Sequence, residues 1–361
     1  MNQPDKELNI AGRKIGLNHP TYFVADIAAN HDGDLHRAIA LIHLAAEAGA
    51  DAAKFQHFEA HTIVSDFGFK ALGRQTSHQA KWGKSVFEVY HAASVDLGWT
   101  TALKQACLDA GITFLTSPYS LALVDAVDPF VPAYKIGSGD ITWVEIIERI
   151  ARKNKPYLIA TGASTMADVE RAVGAGLAIN TQLALLQCNT NYTASLENFR
   201  FIQLNTLKTY HDKYPSMILG LSDHTPGHAT VLGAVSLGAR IVEKHFTDDL
   251  KRIGPDHAFS MDARSWREMV DRTRELENAL GTGIKQVEPN EEETVVLQRR
   301  AVRAVNDLSV GTKLSPELLT VLRPAPRDCI APFEISRVTG KTLRRALKAG
   351  EHLVWTDLKL P

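Results

Sequence analysis

Cysteine is scarce in this 361-residue chain, which has three, Cys107, Cys188 and Cys329, widely spaced and with no CxxC pair. An odd number so dispersed excludes a disulfide framework and a structural zinc site of the usual spacing. Long apolar runs are missing as well. No stretch approaches the ~20 residues of a membrane span, and the opening segment MNQPDKELNIAGRKIGLNHP lacks the apolar core of a secretory signal. Nor is there a surplus of charge, with 40 Lys plus Arg against 41 Asp plus Glu for a net −1. That balance counts against a chain that coats nucleic acid or an anionic membrane, although a local basic cleft can be averaged away in it. The expectation is a soluble cytoplasmic protein with neither nucleic acid nor membrane as partner. No GxGxxG follows the first strand pattern, which counts against a doubly wound dinucleotide-binding sheet.

What is present is a chain of about two domains at roughly 150 residues each, with 45% apolar residues to build a sizeable core. Short β-branched or apolar runs recur at 22–29, 52–58, 113–119, 133–139, 156–162, 183–189, 218–224 and 240–246. Between them, 35–48, 94–110, 143–153 and 166–175 carry apolar residues at three- and four-residue spacing, the pattern of amphipathic helices. Gly49 and Gly111 fall just past such a helix and just before a strand, where a left-handed cap is wanted. Eight strands alternating with helices over about 250 residues is the count of a (β/α)8 TIM barrel. Residues 59–94 form a long insertion after the second strand, of a length typical of lids or disordered loops. After Met261 an amphipathic helix runs to about Leu280. The expected organisation is a barrel over 1–281, a polar linker over 282–298 and a small, mainly β module over 299–361. A faint repeat in that module aligns Leu308, Gly311, Leu314 and Leu319 with Leu347, Gly350, Leu353 and Leu358.

Chemistry in such a barrel sits at the C-terminal ends of the strands. Asp26 to Asn30 close the first, Lys54 and Gln56 the second, Ser117 the third, and Lys135, Ser138, Gly139 and Asp140 the fourth. Tyr192 follows the sixth, Ser222 and His224 end the seventh, and Glu243 and His245 the eighth. Residues two apart on a strand face one side, so Lys54 with Gln56, and Glu243 with His245, point together into the mouth. His224 and His245 end neighbouring strands, close enough to share a metal; the alternative is that each is a satisfied structural histidine. With Glu243 and Asp256 near in sequence, the donors suit Mn²⁺, Co²⁺ or Zn²⁺. Lys54 and Lys135 are costly to desolvate unless an anion meets them. Ser138 and the backbone of 137–139 beside them describe a phosphate or carboxylate pocket. The alternative is that these lysines merely pair with Asp26, Asp140 or Glu243. Asp26 and Asn30 are catalytic or cap the helix beginning near Leu35, and Asp32 and Asp34 fit the capping role better.

Several long motifs stand in fixed order: DIAANHDG at 26–33, YKIGSGD at 134–140, GLSDHT at 220–225, EKHF at 243–246 and GPDHAFS at 254–260. In these, and over nearly its whole length, the chain resembles the sialic acid synthases, phosphoenolpyruvate-condensing enzymes that make nine-carbon 2-keto-3-deoxy sugar acids. Its tail, with VLRP at 321–324, is similar to the antifreeze-like (SAF) domain that ends them. The resemblance implies a TIM barrel that binds phosphoenolpyruvate and a divalent metal, Mn²⁺ first and Mg²⁺ or Co²⁺ as alternatives. It implies a homodimer in which the SAF domain of one subunit covers the partner's barrel mouth. By position, His224 and His245 would hold the metal. Lys54, Ser117, Lys135, Ser138, Gly139 and Ser222 would hold phosphoenolpyruvate. Gln56, Tyr192 and Asp256 would meet the sugar, with Arg323 reaching its N-acyl group from the other subunit, and Asp26 would handle water or a proton near the new bond.

The chain departs from that pattern on the acceptor side. Asp26 and Asp140 stand where the family usually has Glu, the sixth-strand segment reads QCNTNYT, and Arg323 is followed by PAPRDC. Asp is one methylene shorter than Glu, so at Asp26 the backbone comes closer, a water bridges, or the role moves elsewhere. The leading expectation is condensation with an N-acyl hexosamine for a sialic, legionaminic or pseudaminic type acid. One alternative is a non-amino or phosphorylated acceptor, served by Arg323 and the insertion's Lys70, Arg74, Lys81 and Lys84. The other is a non-catalytic carbohydrate-binding barrel.

Overall fold

A computed structural model describes residues 3–72 and 82–359, so Arg74 and Lys81 lie outside the described residues. The chain divides into two compact units, Met1–Gly281 and Thr282–Pro361. In the first, an antiparallel hairpin of β1 (Leu8–Ile10) and β2 (Arg13–Ile15) precedes eight barrel strands. These are β3 (Tyr22–Asp26), β4 (Ala52–His57), β5 (Thr113–Pro118), β6 (Tyr134–Ile136), β7 (Tyr157–Ala160), β8 (Leu183–Cys188), β9 (Ile218–Asp223) and β10 (Ile241–His245). Neighbours run parallel, and β10 returns to β3 to close the barrel. Helices α1 (Leu35–Glu47), α5 (Thr100–Asp109), α6 (Leu121–Val127), α7 (Val144–Ala151), α8 (Met166–Leu177), α9 (Thr206–Lys213), α10 (Ala229–Ser236) and α11 (Ala263–Leu280) follow the strands.

Two cores hold this unit together. Outward side chains such as Phe23, Phe55, Ile159 and Val242 pack against buried helix residues such as Leu41, Ile147 and Trp266. Inward ones, including Val24, Leu115, Leu158 and Leu186, fill the barrel together with Leu8, Ile10 and Ile15 of the hairpin. The hairpin escaped the sequence reading, although its turn pair has both residues at positive φ, Ala11 at 51° and Gly12 at 88°. That conformation suits a two-residue hairpin connection.

Several local expectations change. The first strand stops at Asp26 rather than continuing to residue 29, because Ala28 turns to φ 44° and leaves the extended region. Asp34 caps α1, accepting from the His36 and Arg37 amides, whereas Asp32 pairs with Arg252 and His257. Asn30 caps nothing, and its amide donates to the Phe246 carbonyl and the Ser260 hydroxyl. The helix expected from residue 94 starts at Thr100, after a short turn capped by Asp96. The insertion carries α2 (Ala60–Ile63), α3 (Asp66–Ala71) and α4 (Val86–Ala93), the last begun by a reciprocal Ser85–Glu88 capping box.

In the second unit, β11 (Ala301–Ala304) pairs antiparallel with β12 (Leu319–Leu322), followed by the single-turn α13 (Ile335–Val338). All six leucines of the repeat are buried in one core, Leu308 bridges Leu347, and Gly311 and Gly350 take φ of 85° and 81°. Within the segment read as linker, residues 292–298 form α12 (Glu292–Gln298). Hydrogen bonds from Ala325 N to Val296 O and from Arg323 Nε to Gln298 O tie that helix to this unit. Among the described residues, no helix is long and apolar enough to cross a membrane.

Candidate active site

The strand ends surround an open cavity of about 380 Å³ at the C-terminal mouth of the barrel, within the usual size range of small-molecule sites. Strand alternation delivers its floor. Lys54 and Gln56 of β4 both line it, as do Glu243 and His245 of β10, with Asp26, Lys135, Ser222 and His224 from the strands between and beside them. Ser138, Gly139, Tyr192 and Asp256 complete the predicted set that reaches the cavity. Ser117 does not line it. It sits opposite Gln56 in the sheet, buried, with a hydroxyl that has no hydrogen-bond partner. Arg323 belongs to the second unit, where it is exposed.

Both lysines are ion-paired. Lys54 Nζ lies 2.7 Å from Asp26 Oδ2, and Lys135 Nζ 3.1 Å from Glu243 Oε1, with ammonium side chains 2% and 4% exposed. Burial pushes the Asp26 carboxyl up, but the charge and hydrogen bond of Lys54, together with His245 and Lys135, outweigh it and hold the carboxyl below the ordinary aspartate range. Gln56 Nε2 donates to the same Asp26 oxygen, and Asp26 Oδ1 accepts from the Ala28 amide. Ser222 donates to Glu243 Oε1, whose second oxygen is buried without a partner. Pairing with carboxylates, one of the two readings of the sequence, is therefore the arrangement seen. It leaves two buried cations that an incoming dianion can claim.

The two histidine rings stand 5.4 Å apart. Burial holds both imidazoles neutral, driving His224 below its usual range and His245 to about 3. His224 Nδ1 donates to the Asn189 carbonyl at 2.9 Å, which fixes the ring and leaves Nε2 as the lone-pair nitrogen. Tyr192 packs edge-on against His224 at 4.4 Å, and Phe259 against His245 at 4.9 Å. Asp256 is drawn in by the Ala29 amide, and its carboxyl is pushed up to about 7 by burial.

Asp140 is a second raised carboxyl, lifted to about 6 by burial against the opposing pull of Lys135. A carboxyl whose folded pKa exceeds its unfolded value takes up a proton on folding between the two, so stability rises as pH falls through that window. Relative to Asp140→Asn, the ligand-free protein should gain stability between about pH 6 and pH 4. Parallel urea titrations check this, and a constant difference across that window would remove the assignment.

Residues 41–285 match the NeuB family and residues 299–359 match the SAF domain. The chain is 33% identical over 350 residues to the N,N'-diacetyllegionaminic acid synthase of Legionella pneumophila, covering 95% of this chain and 96% of that protein. It is 31% identical to the N-acetylneuraminate-9-phosphate synthase of Homo sapiens, covering 91% of this chain and 90% of that one. The crystal structure of the N-acetylneuraminic acid synthetase from Leptospira borgpetersenii, in complex with citrate, superposes with a TM-score of 0.69 at 25% identity. That match covers 82% of this chain and 97% of the other. The chain belongs to the NeuB family.

At the NeuB-type mouth, the nitrogens with metal-donor chemistry are those of two histidines. His224 presents a free ring nitrogen, and His245 Nδ1 is buried without a hydrogen-bond partner, 3.9 Å from Asp256 Oδ2. Among the described residues no group of three or more His, Cys, Asp and Glu is arranged to hold an ion. The donor set on offer is therefore a histidine pair, leaving coordination positions for substrate and water. Lining residues to which the sequence assigned no role are Tyr119 just after β5, Cys188 at the end of β8, and a wall from Phe58 and the insertion. Burial pushes the Cys188 thiol up, and it lies beside Ser138 and Ser222. Strand alternation could have found Tyr119, two residues after Ser117. The wall depends on tertiary packing.

Proposed function

We propose that this NeuB-family synthase condenses phosphoenolpyruvate with an open-chain N-acyl aldose, giving a 2-keto-3-deoxy sugar acid three carbons longer and inorganic phosphate. The observation that carries the reading is the pair of buried ammonium–carboxylate contacts at the cavity floor, Lys54–Asp26 and Lys135–Glu243. Phosphoenolpyruvate carries a phosphate and a carboxylate, and it exchanges with Asp26 and Glu243 for the two lysines. The hydroxyls of Ser138 and Ser222 and the Gly139 backbone supply uncharged donors beside them. Ser117 supports the β4–β5 side from beneath the cavity.

His224 and His245 would hold a divalent cation, Mn²⁺ before Mg²⁺ or Co²⁺, which would supply Lewis acidity for the acceptor carbonyl. The remaining work falls to the protein. Gln56, Tyr192 and Asp256 orient the acceptor so that its aldehyde carbon meets C3 of phosphoenolpyruvate, and most of the rate then comes from positioning and preset charge. The C3–C1 bond forms, water adds at C2, and the intermediate loses phosphate by breaking its C–O bond. Asp26, freed from Lys54 by the substrate, stands at the floor to hold the water or take its proton. The SAF unit completes the site in a homodimer, with Arg323 on the acyl group of an acceptor bound in the partner's barrel.

Phosphate release tests the function. With Mn²⁺, Mg²⁺ or Co²⁺ present, release should depend on an N-acyl aldose, and a panel of acceptors with no acceptor-dependent release would overturn it. His224→Ala should bind less than a tenth of the wild-type Mn²⁺ by equilibrium dialysis with an unchanged melting profile. Wild-type-like metal content in that variant would remove His224 from the ligand pair.

A further inference from the structure

Besides its charged residues, the cavity has a wall of aromatic and aliphatic side chains. Phe58, Ile63, Trp82, Val89, Tyr90 and Ala93 line it, all but the first contributed by the insertion. The capping box at Ser85 starts α4, in which Ala93 stands three residues after Tyr90 and four after Val89 and so shares a face with each. Ring packing fixes that face: Phe58 lies 5.4 Å from Tyr90 and 6.0 Å from Tyr119, and Trp82 lies 6.5 Å from Tyr90. Of the described residues of the insertion, Ile63, Trp82, Val89, Tyr90 and Ala93 are thus part of the site.

Charge sharpens the contrast. Among the described residues lining the cavity, the ammonium groups are Lys54 and Lys135, against four carboxyl groups, Asp26, Asp140, Glu243 and Asp256. Phosphoenolpyruvate alone accounts for both cations. Among the described lining residues, a phosphate on the acceptor would meet an aromatic and aliphatic wall and surplus carboxylates, a costly place for an unpaired dianion. Lys70 of the insertion is exposed and held by Asp66 at 2.6 Å, away from this lining.

Resting on the condensation reading above, we infer that the insertion wall of Ile63, Trp82, Val89 and Tyr90 selects an acceptor whose end remote from the aldehyde is an apolar deoxy carbon, not a hydroxymethyl or a phosphorylated one. The aldehyde end is fixed over the lysine floor by the reaction, and the far end of the extended chain then reaches the wall. Excluding a methyl from water against Val89 and Tyr90 favours it. A hydroxyl against Ile63 and Val89 gives up its hydrogen bonds to water, and neither of these side chains can replace them.

The test uses three acceptors with the same N-acyl group, ending in CH3, CH2OH or CH2OPO3²⁻, with phosphate release followed at saturating phosphoenolpyruvate. The deoxy acceptor should exceed the hydroxymethyl one in kcat/KM by about 10-fold to 100-fold, and the phosphorylated one should be slowest. In Val89→Thr, which keeps shape and adds a hydroxyl, and separately in Tyr90→Ser, the deoxy preference should shrink at least threefold. The KM for phosphoenolpyruvate should hold in both variants. Equal or faster turnover of the hydroxymethyl or phosphorylated acceptor would overturn the wall's role and leave condensation intact, as would an unmoved preference in both variants. No release from any of the three would overturn both.

Discussion

Asp26→Asn is expected to lower turnover by about 10²- to 10⁴-fold while phosphoenolpyruvate binding holds or tightens. Asn keeps the volume and can still accept from the Ala28 amide, so the local turn survives. What is lost is the negative charge that Lys54 now pairs with at 2.7 Å. Lys54 remains within the field of Glu243 and Asp256, which support its charged form along with Asp26 against burial. With its closest competitor neutral, the lysine is more available to an anionic substrate. A base or water-holding carboxylate is gone, however, and catalysis falls. Asp26→Glu returns a carboxylate one methylene further out and should turn over faster than the Asn variant. Steady-state phosphate release and calorimetric titration with phosphoenolpyruvate separate the two effects. Turnover within threefold of wild type in Asp26→Asn would remove Asp26 from the catalytic set, and a tenfold loss of phosphoenolpyruvate affinity would contradict the competition between them.

Lys244→Met is expected to cost about 3–5 kcal/mol of stability although Lys244 does not line the cavity. The residue alternates with Glu243 and His245 and so points away from the mouth, into the helix layer. There it is fully buried, 2.5 Å from Asp223 Oδ2 and 2.6 Å from the Thr225 carbonyl. Asp223 also accepts from the Thr225 and Thr230 hydroxyls. Burial pushes the Asp223 carboxyl up, but Lys244 and these donors outweigh it and hold it below the usual range. Its folded pKa being depressed, this contribution is present above about pH 4, the unfolded value, and is lost as pH falls through the folded one. The pair ties together the ends of β9 and β10, and His224 and His245 directly follow its two members. Removing the lysine leaves a buried carboxylate alone, whereas Asp223→Leu combined with Lys244→Met leaves no uncompensated charge and should recover much of the loss. Urea unfolding of both variants at neutral pH measures this. A single variant within about 1 kcal/mol of wild type would show that the pair does not brace the strand ends.

The barrel was legible because its strands and helices differ in period, and because chemistry at strand ends follows from alternation. Lys54 with Gln56 and Glu243 with His245 were paired by spacing alone, and all four line the mouth. The same logic placed Asp34 at a helix cap and the six repeat leucines in one core. What stayed hidden depended on contacts distant in sequence. Nothing near Tyr90 announces that it will meet Phe58 beside Tyr119, so the insertion read as a loop of unknown use. The Asp223–Lys244 brace was not legible because its members lie 21 residues apart and meet only through the pairing of β9 with β10. The N-terminal hairpin was missed because its strands are three residues each, too short to show a period.

The most direct measurement follows the bridging oxygen of phosphoenolpyruvate. With ¹⁸O at that position, the account predicts acceptor-dependent release of labelled phosphate, together with a sugar acid three carbons longer than the acceptor and free of label. Label retained in the acid, or phosphate that appears without any longer acid, would contradict condensation with C–O cleavage at the barrel mouth.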